Sequence, residues 1–152
     1  MTIISHPKDL LAMIGQDLGS SPWLDVSQER INVFADATDD HQWIHVDVER
    51  AKTGPFGGPI AHGYLTLSLL IPLWSEILVI EELDMAVNYG LNKVRFPAPV
   101  PAGSRVQVSA TLADAEEVAG NGIQATIDAV MHVEGADKPV CIAQMVHRYY
   151  KD

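Results

Sequence analysis

Cysteine and positive charge are both scarce in this sequence of 152 residues. The single cysteine, Cys141, excludes a disulfide within the chain and predicts a reducing, cytoplasmic setting. It lies in an apolar segment, so we expect it in the core. Ten Lys and Arg residues stand against twenty Asp and Glu residues, which gives a formal net charge of −10. This charge disfavours non-specific attraction to nucleic acid, and we expect no nucleic-acid partner.

The sequence also lacks an export signal and an uninterrupted membrane span. The first 19 residues contain no basic start followed by an apolar block. The most apolar run, residues 60–80, is long enough to cross a bilayer, but it contains His62, Pro72 and Glu76 and has no flanking Lys or Arg. We therefore expect no membrane insertion.

No internal repeat and no low-complexity linker divides the chain. Its hydrophobic fraction of 47% and its charged fraction of 20% are ordinary for a globular protein. Because the length also suits one domain, we expect a single domain over residues 1–152.

The first half of the chain has helical patterns. Residues 8–15 predict a short helix that acts as a lid or cap, and Ser27 can cap a second helix with one apolar face. Asp47 can cap a further short helical turn. From Gly63 to Leu78, apolar residues cover nearly every side of a helix, so we expect other elements to enclose it.

The second half of the chain changes to a period of two. Alternating apolar and polar residues predict strands at 105–112 and 123–133, and a third strand at 140–150. Glycines predict turns at 120–122 and 135–137. Three strands joined by short loops form an antiparallel meander that can cover the preceding helix, so the predicted fold class is α+β.

Most of the reactive side chains lie between Asp36 and Leu70. Asp40 and His45 are five residues apart in a non-periodic segment, so one loop can direct both side chains into a pocket. A carboxylate beside an imidazole is an acid/base pair that works near neutral pH. The spacing alone also fits a capping aspartate and a surface histidine.

The same segment contains several possible metal ligands. They are Asp39, Asp40, His41, His45 and His62. None of their close spacings forms a standard ligand motif on a helix face, so we expect no metal. We expect no other cofactor.

His62 and Gly63 open the apolar helix, where backbone N–H groups lack helical partners and the helix dipole is positive. A ligand carbonyl can dock there, and the Gly63 N–H can polarise it. Alternatively, Gly63 only relieves crowding at the start of the helix.

Basic residues follow the apolar helix. Lys93 and Arg95 alternate with apolar residues, close in sequence to Arg105, and are the best candidates for a phosphate-binding patch in this acidic protein. The alternative is an edge strand with solvated charges. The aromatic residues Trp43, Trp74 and Phe56 are expected to pack within the protein rather than to stack on a ligand.

Three motifs together resemble a known family. They read D-D-H-Q-W-I-H from Asp39, G-P-F-G-G-P-I-A-H-G from Gly54 and N-K-V-R-F-P-A-P-V-P-A-G-S-R from Asn92. Across residues 36–108 the sequence resembles the MaoC-like dehydratases, also called (R)-specific enoyl-CoA hydratases. The resemblance implies a hot-dog fold, in which an antiparallel sheet wraps around a long central helix, and a homodimer.

The resemblance also implies an activity and its residues. By position, the family's catalytic dyad falls on Asp40 and His45, and its helix-opening glycine falls on Gly63. The implied reaction is the reversible hydration of a trans-2-enoyl thioester, carried by CoA or acyl carrier protein, to an (R)-3-hydroxyacyl thioester. The dyad would activate one water for attack on C3, and the Gly63 N–H would stabilise the enolate-like oxygen.

One position departs from the family pattern. Many of these hydratases have Asn-Pro between the dyad residues, whereas this chain has Gln42-Trp43, which is similar to a nodulation-protein-N-like branch. Gln42 can still hydrogen-bond to a substrate as Asn does, whereas Trp43 would reshape the pocket. Two alternatives therefore stay open: a thioesterase, in which Asp40 activates water against the thioester carbonyl, and a non-catalytic acyl-thioester-binding protein.

Overall fold

The computed structural model of the protein describes residues 1–152. The strands are β1 (Thr2–Ile4), β2 (Asp17–Ser20), β3 (Leu24–Val26), β4 (Leu78–Ile80), β5 (Met85–Arg95), β6 (Ser104–Val118), β7 (Gly122–Val133) and β8 (Cys141–Tyr150). The α-helices are α1 (Gln28–Thr38), α2 (Trp43–Val46), α3 (Val48–Lys52), α4 (Gly63–Ser68) and α5 (Leu70–Ser75), and a 3-10 helix covers Pro7–Ala12. None of these helices has the length and hydropathy that a membrane span requires.

One antiparallel sheet dominates the architecture. Its strands follow the spatial order β2-β6-β7-β8-β5, and β3 pairs with β6 beside β2. The three predicted strands correspond to β6, β7 and β8, and their antiparallel pairing confirms the predicted meander. A register shift between Leu112 and Asp114 interrupts the β6–β7 ladder, and such bulges bend a strand. The short strands β1 and β4 form a separate parallel pair.

The inner face of the sheet is built from alternate residues of the long strands. The buried ones are Val106, Val108, Ala110 and Leu112 in β6 and Ile123, Ala125, Ile127, Ala129 and Met131 in β7. They belong to a cluster of 30 buried residues that runs from Ile4 to Tyr149. Cys141 belongs to this cluster as predicted, and burial raises the pKa of its thiol to about 11, which keeps it protonated and unreactive.

The two predicted turns of the meander are confirmed by their backbone angles. Gly120 and Asn121 have φ values of +81° and +56°, and Gly135 has a φ of +80°. These left-handed conformations favour Gly and Asn, so the sequence at each turn suits a tight connection between neighbouring strands.

The predicted continuous central helix is divided into α4 and α5 at Leu69. Pro72 has no N–H to donate to the Ser68 carbonyl, so one hydrogen bond of the helical ladder is lost there. Leu69 itself keeps helical angles, with φ −69° and ψ −12°. The prediction that the helix extends to Leu78 is wrong, because Leu78 is the first residue of β4.

The sheet covers only one side of α4 and α5. Leu65, Leu70 and Leu73 are buried, but Tyr64 is 75% exposed and Ile71 is 38% exposed. The expectation that other elements enclose the whole helix is therefore wrong for the single chain. An apolar stripe remains uncovered on its outer side.

The predicted helix over residues 8–15 is shorter and tighter than expected, because the 3-10 helix ends at Ala12. The His6 side chain accepts a hydrogen bond from the Lys8 N–H and so caps its start. Of the apolar residues, Leu10 is fully buried, whereas Ile14 is 47% exposed. The segment contacts β6 and β7 and covers part of the sheet, with Pro7 and Leu10 as its two buried residues.

Candidate active site

The end of α1 delivers Asp40 to the site. Ser27 caps the start of this helix as predicted, by accepting a hydrogen bond from the Arg30 N–H. At the other end Asp39 has a φ of 58°, and the Asp40 N–H donates to the Ala35 carbonyl at 3.1 Å. This left-handed residue ends the helix and turns the chain, so that Asp40 begins the loop to α2.

The second member of the predicted dyad, His45, is held by main-chain groups. It lies in α2 and is 6% exposed. Its Nδ1 donates to the Ile60 carbonyl at 2.7 Å, and the Ile60 N–H in turn donates to the Ile44 carbonyl at 3.0 Å. A carbonyl oxygen only accepts, so Nδ1 carries the proton and Nε2 of the neutral ring keeps its lone pair.

The environment of His45 favours the neutral imidazole. Burial lowers the pKa of His45 below the ordinary value of 6.5, and the neighbouring His62 lowers it further. The hydrogen bond to the Ile60 carbonyl and the negative charge of Asp40 act in the opposite direction. Because the lowering effects are larger, the ring is available as a base at neutral pH.

His62 forms a cluster with Asp40 and His45. Its ring stacks on the His45 ring with a centroid distance of 3.9 Å, and its Nε2 donates to the main-chain carbonyl of Asp40 at 3.0 Å. One side-chain ligand atom from each of Asp40, His45 and His62 lies within 4.8 Å of the other two. The structure therefore brings together three residues that the sequence separates by as many as 22 positions.

This cluster has the residue types of a metal site, but the spacing of the residues forms no standard ligand motif. His45 Nδ1 and His62 Nε2 each donate to a main-chain carbonyl, so the other nitrogen of each ring is the possible ligand. The predicted absence of a metal stays a prediction.

Gly63 follows His62 at the first position of α4, where the backbone N–H has no helical acceptor. A cavity of about 260 Å³ adjoins it. Phe96 lies over the glycine, because a Cβ atom at residue 63 would be 3.3 Å from its ring. Phe56, which was expected to pack, is 49% exposed and lines the cavity instead.

The departure at Gln42-Trp43 lies outside this cavity. Trp43 packs between the Arg50 guanidinium, 4.2 Å from its ring centroid, and Gly54, where a Cβ atom would come within 2.9 Å of the indole. Trp43 is thus a packing residue, as predicted. Gln42 is exposed, its side chain makes no capping hydrogen bond, and its N–H is 3.4 Å from an Asp40 carboxylate oxygen.

The predicted basic patch is only partly assembled. Lys93 and Arg95 are exposed on β5 and closely precede Phe96, which contacts the Gly63 position. Arg105 lies three strands away in β6, about 14 Å by strand spacing, and pairs with Glu134. Arg105 therefore does not belong to the patch, and phosphate binding by Lys93 and Arg95 stays a prediction.

Two parts of the site have no local signal in the sequence. Ile60 supplies a backbone carbonyl to His45, and any residue type can do that. Phe96 reaches Gly63 only through the path of the chain after β5. His62 was recognised as a site residue, but its stacking on His45 depends on the fold.

Comparison with known proteins adds the family to this geometry. Residues 9–134 match the protein family described as MaoC like domain. The chain belongs to the MaoC-like domain family. The predicted resemblance is confirmed, and the match includes every residue of the MaoC-like site described above.

Two curated relatives cover nearly the whole MaoC-like chain. The 3-hydroxyacyl-thioester dehydratase Z of Mycobacterium tuberculosis (strain ATCC 25618 / H37Rv) is 51% identical over 141 residues, which are 93% of each chain. Nodulation protein N of Rhizobium leguminosarum bv. viciae is 44% identical over 140 residues, which are 91% of this chain and 87% of the relative. These relatives confirm the predicted enzyme class, a hydratase or dehydratase, and the predicted branch.

A solved structure supports the fold of the MaoC-like chain. The monoamine oxidase regulatory protein from Archaeoglobus fulgius superposes with a TM-score of 0.80 at 23% identity, covering 99% of this chain and 97% of that chain. The predicted hot-dog fold is confirmed, with a central helix that is divided into α4 and α5 and covered by the antiparallel sheet on one side.

Proposed function

We propose that this MaoC-like protein catalyses the reversible hydration of a trans-2-enoyl thioester to an (R)-3-hydroxyacyl thioester, with Asp40 and His45 as the catalytic dyad. The observation that carries the proposal is the hydrogen bond from His45 Nδ1 to the Ile60 carbonyl, which leaves the Nε2 lone pair available on a ring that has one nitrogen within 4.8 Å of an Asp40 carboxylate oxygen. Two acceptors converging on one water can orient it and remove its proton. The 51% identity to a 3-hydroxyacyl-thioester dehydratase supports the substrate class.

The dyad would perform the reaction in two proton movements. In hydration, the dyad removes a proton from the water while the water oxygen forms a bond to C3 of the enoyl thioester. The C2–C3 π electrons shift toward the thioester carbonyl and form an enolate. The dyad then returns a proton to C2, and the thioester carbonyl is restored. Dehydration follows the same steps in reverse, so no external oxidant or reductant is needed.

Gly63 would bind the oxygen on which the negative charge develops. Its backbone N–H is at the start of α4 and has no helical acceptor, and Gly63 lines the cavity together with the Phe96 ring that lies over it. A donor placed there stabilises an enolate oxygen more than a neutral carbonyl, which is the condition for lowering the barrier.

The carrier of the acyl group and the oligomeric state are finer parts of the proposal. The thioester would be carried by CoA or acyl carrier protein, with Lys93 and Arg95 as candidate phosphate contacts. A homodimer would pair through β5, which is bonded to β8 on one side only.

Cytoplasmic localisation stays a prediction.

Hydration of crotonyl-CoA tests the proposed function. The conjugated enoyl thioester absorbs in the ultraviolet, and we expect this absorbance to fall on addition of the protein, with (R)-3-hydroxybutyryl-CoA as the product. A thiol reagent in a parallel reaction measures free CoA. Release of thiol with no hydroxyacyl product would indicate the thioesterase alternative, and binding with no turnover would indicate the non-catalytic alternative.

A further inference from the structure

His62 is joined to Asp40, to His45 and to the start of α4. Its Nε2 donates to the main-chain carbonyl of Asp40 at 3.0 Å, and its ring stacks on His45 with an interplanar angle of 27°. Its own carbonyl accepts the Thr66 N–H at 3.0 Å and the Thr66 hydroxyl at 3.1 Å, which fixes the start of α4 directly before Gly63. His62 thus links the loop that contains Asp40, the short helix α2 that contains His45, and the start of α4 at Gly63.

His62 is more deeply buried than His45. It is 2% exposed against 6% for His45, and the ring of Phe34 lies 4.8 Å from its centroid at an angle of 53°. None of Asp40, His45 and His62 lines the cavity beside Gly63, so the role of His62 follows from its contacts. Its Nε2 is bonded to the Asp40 carbonyl and its ring is stacked on His45, so both contacts act on the other two residues.

We infer that His62 is a positioning residue, which sets the separation and orientation of Asp40 and His45 through one hydrogen bond and one stacked ring. This inference rests on the proposed function of the dyad. A shift of about 1 Å in a catalytic group can cost about 100-fold in rate, so a rigid support behind the dyad has a large effect.

The chemistry of imidazole suits both contacts. The Asp40 carbonyl can only accept, so the His62 proton is on Nε2, and Nδ1 is a buried acceptor with no partner. Phenylalanine would keep a flat ring for the stack but would lose the donor. Glutamine would keep a donor but would lose the ring. Each replacement therefore removes one of the two contacts.

The same contact has an electrostatic consequence for the dyad. His62 and Asp40 are the titratable neighbours that act on His45, and His62 lowers the pKa of His45 while Asp40 raises it. Replacement of His62 by a residue that carries no charge at any pH removes this influence on the pKa of His45. We therefore expect the acidic limb of the kcat/KM profile to move to higher pH in both variants.

The test compares His62→Gln and His62→Phe with His132→Gln on crotonyl-CoA. His132 is a matched control, since it is a partly buried histidine in β7, outside the elements that carry Asp40 and His45, and like His62 it has one ring nitrogen with no partner. We expect both His62 variants to lose kcat by about 10- to 100-fold with KM changed less than about twofold, because the effect is on orientation rather than on substrate binding. The control should keep the kcat and the pH profile of the unaltered protein.

Unchanged kcat and an unchanged acidic limb in folded His62 variants would overturn the inference. Should a variant fail to fold, the unaltered protein provides an independent reading through its histidine ¹⁵N–¹H correlation spectrum. The structure requires the Nε2–H tautomer for His62 and the Nδ1–H tautomer for His45. Any other pair of tautomers contradicts the inference, and this spectrum requires no enzymatic activity, so it separates a failure of the inference from a failure of the proposed function.

Discussion

The imidazole rings of His45 and His62 stack 3.9 Å apart, and each ring donates one hydrogen bond to a main-chain carbonyl. His45 donates to Ile60, and His62 donates to Asp40. The two bonds join segments that are 15 and 22 residues apart in the sequence. The orientation of the site is therefore set by backbone groups, whose positions do not depend on exposed side-chain rotamers.

The pH titration of His45 is the first prediction. Burial and His62 lower its pKa, so the ring should remain neutral until the pH falls below 6.5. The Asp40 carboxylate raises this pKa, and Asp40→Asn should therefore lower the midpoint further. The C2–H resonance of His45, followed by NMR as the pH is lowered, measures both midpoints. A midpoint above 6.5 in the unaltered protein would contradict the conclusion that burial lowers the pKa of His45.

The Gly63 N–H can be tested with two substitutions that differ mainly in that group. Gly63→Ala keeps the N–H and adds a Cβ 3.3 Å from the Phe96 ring, whereas Gly63→Pro adds the Cβ and removes the N–H. Proline is tolerated at the first position of a helix, and His62, with φ −60° and ψ 142°, has the backbone conformation that a following proline requires.

We expect Gly63→Pro to have a kcat about 100- to 1,000-fold below that of Gly63→Ala, which is the usual effect of losing one oxyanion donor. The comparison uses single-turnover rates on crotonyl-CoA with both proteins shown to be folded by circular dichroism. Equal rates in the two variants would assign Gly63 a role in relieving crowding only.

The parts of the fold that were predicted correctly have strong local signals. The strands β6, β7 and β8 have long apolar alternation, and their turns contain Gly120, Asn121 and Gly135 in left-handed conformations. Local periodicity and turn chemistry are sufficient for elements of this kind.

The parts that were missed depend on distant partners. Residues 2–4 become a strand only because they pair with residues 78–80, at the other end of the central helix. Residues 85–95 contain Gly90, pair with β8 through two register shifts and lie mostly exposed, so only the alternation around Lys93 and Arg95, at the end of β5, indicates this strand. For the site, the spacing of Asp40 and His45 indicates that one loop can bring the two side chains together. The stacking of His62 on His45 depends on the tertiary fold, and no local pattern predicts it.

A buried hydrogen bond at the far end of α5 should contribute measurably to stability. Trp74 Nε1 donates to the Tyr149 hydroxyl at 2.8 Å, and burial raises the pKa of Tyr149 to about 12, so the hydroxyl stays protonated. Tyr149→Phe leaves the indole N–H buried without an acceptor and should cost about 1–3 kcal/mol in urea unfolding. The matched control is Tyr64→Phe at a residue that is 75% exposed, and it should change stability by less than about 0.5 kcal/mol. Equal free energies of unfolding for the two variants would contradict the hydrogen bond between Trp74 and Tyr149.

The free edge of β5 predicts a homodimer in solution. Leu91 is 42% exposed on this strand and shares a groove with Ile71 of α5. A lysine on an edge strand opposes pairing with another chain, so Leu91→Lys should shift the protein from dimer to monomer in sedimentation velocity. Val33→Lys is the control, since Val33 is 62% exposed on α1, away from β5. A monomeric unaltered protein would contradict this prediction.

The most direct test of the central claim is the double-mutant cycle of Asp40→Asn and His45→Ala on crotonyl-CoA hydration. General acid/base groups contribute about 100- to 10,000-fold, so each single variant should lose at least about 100-fold in kcat/KM. Because two residues that act as one unit are not additive, the double variant should be about as slow as the slower single variant. If either folded single variant hydrates crotonyl-CoA at the rate of the unaltered protein, Asp40 and His45 are not the catalytic dyad.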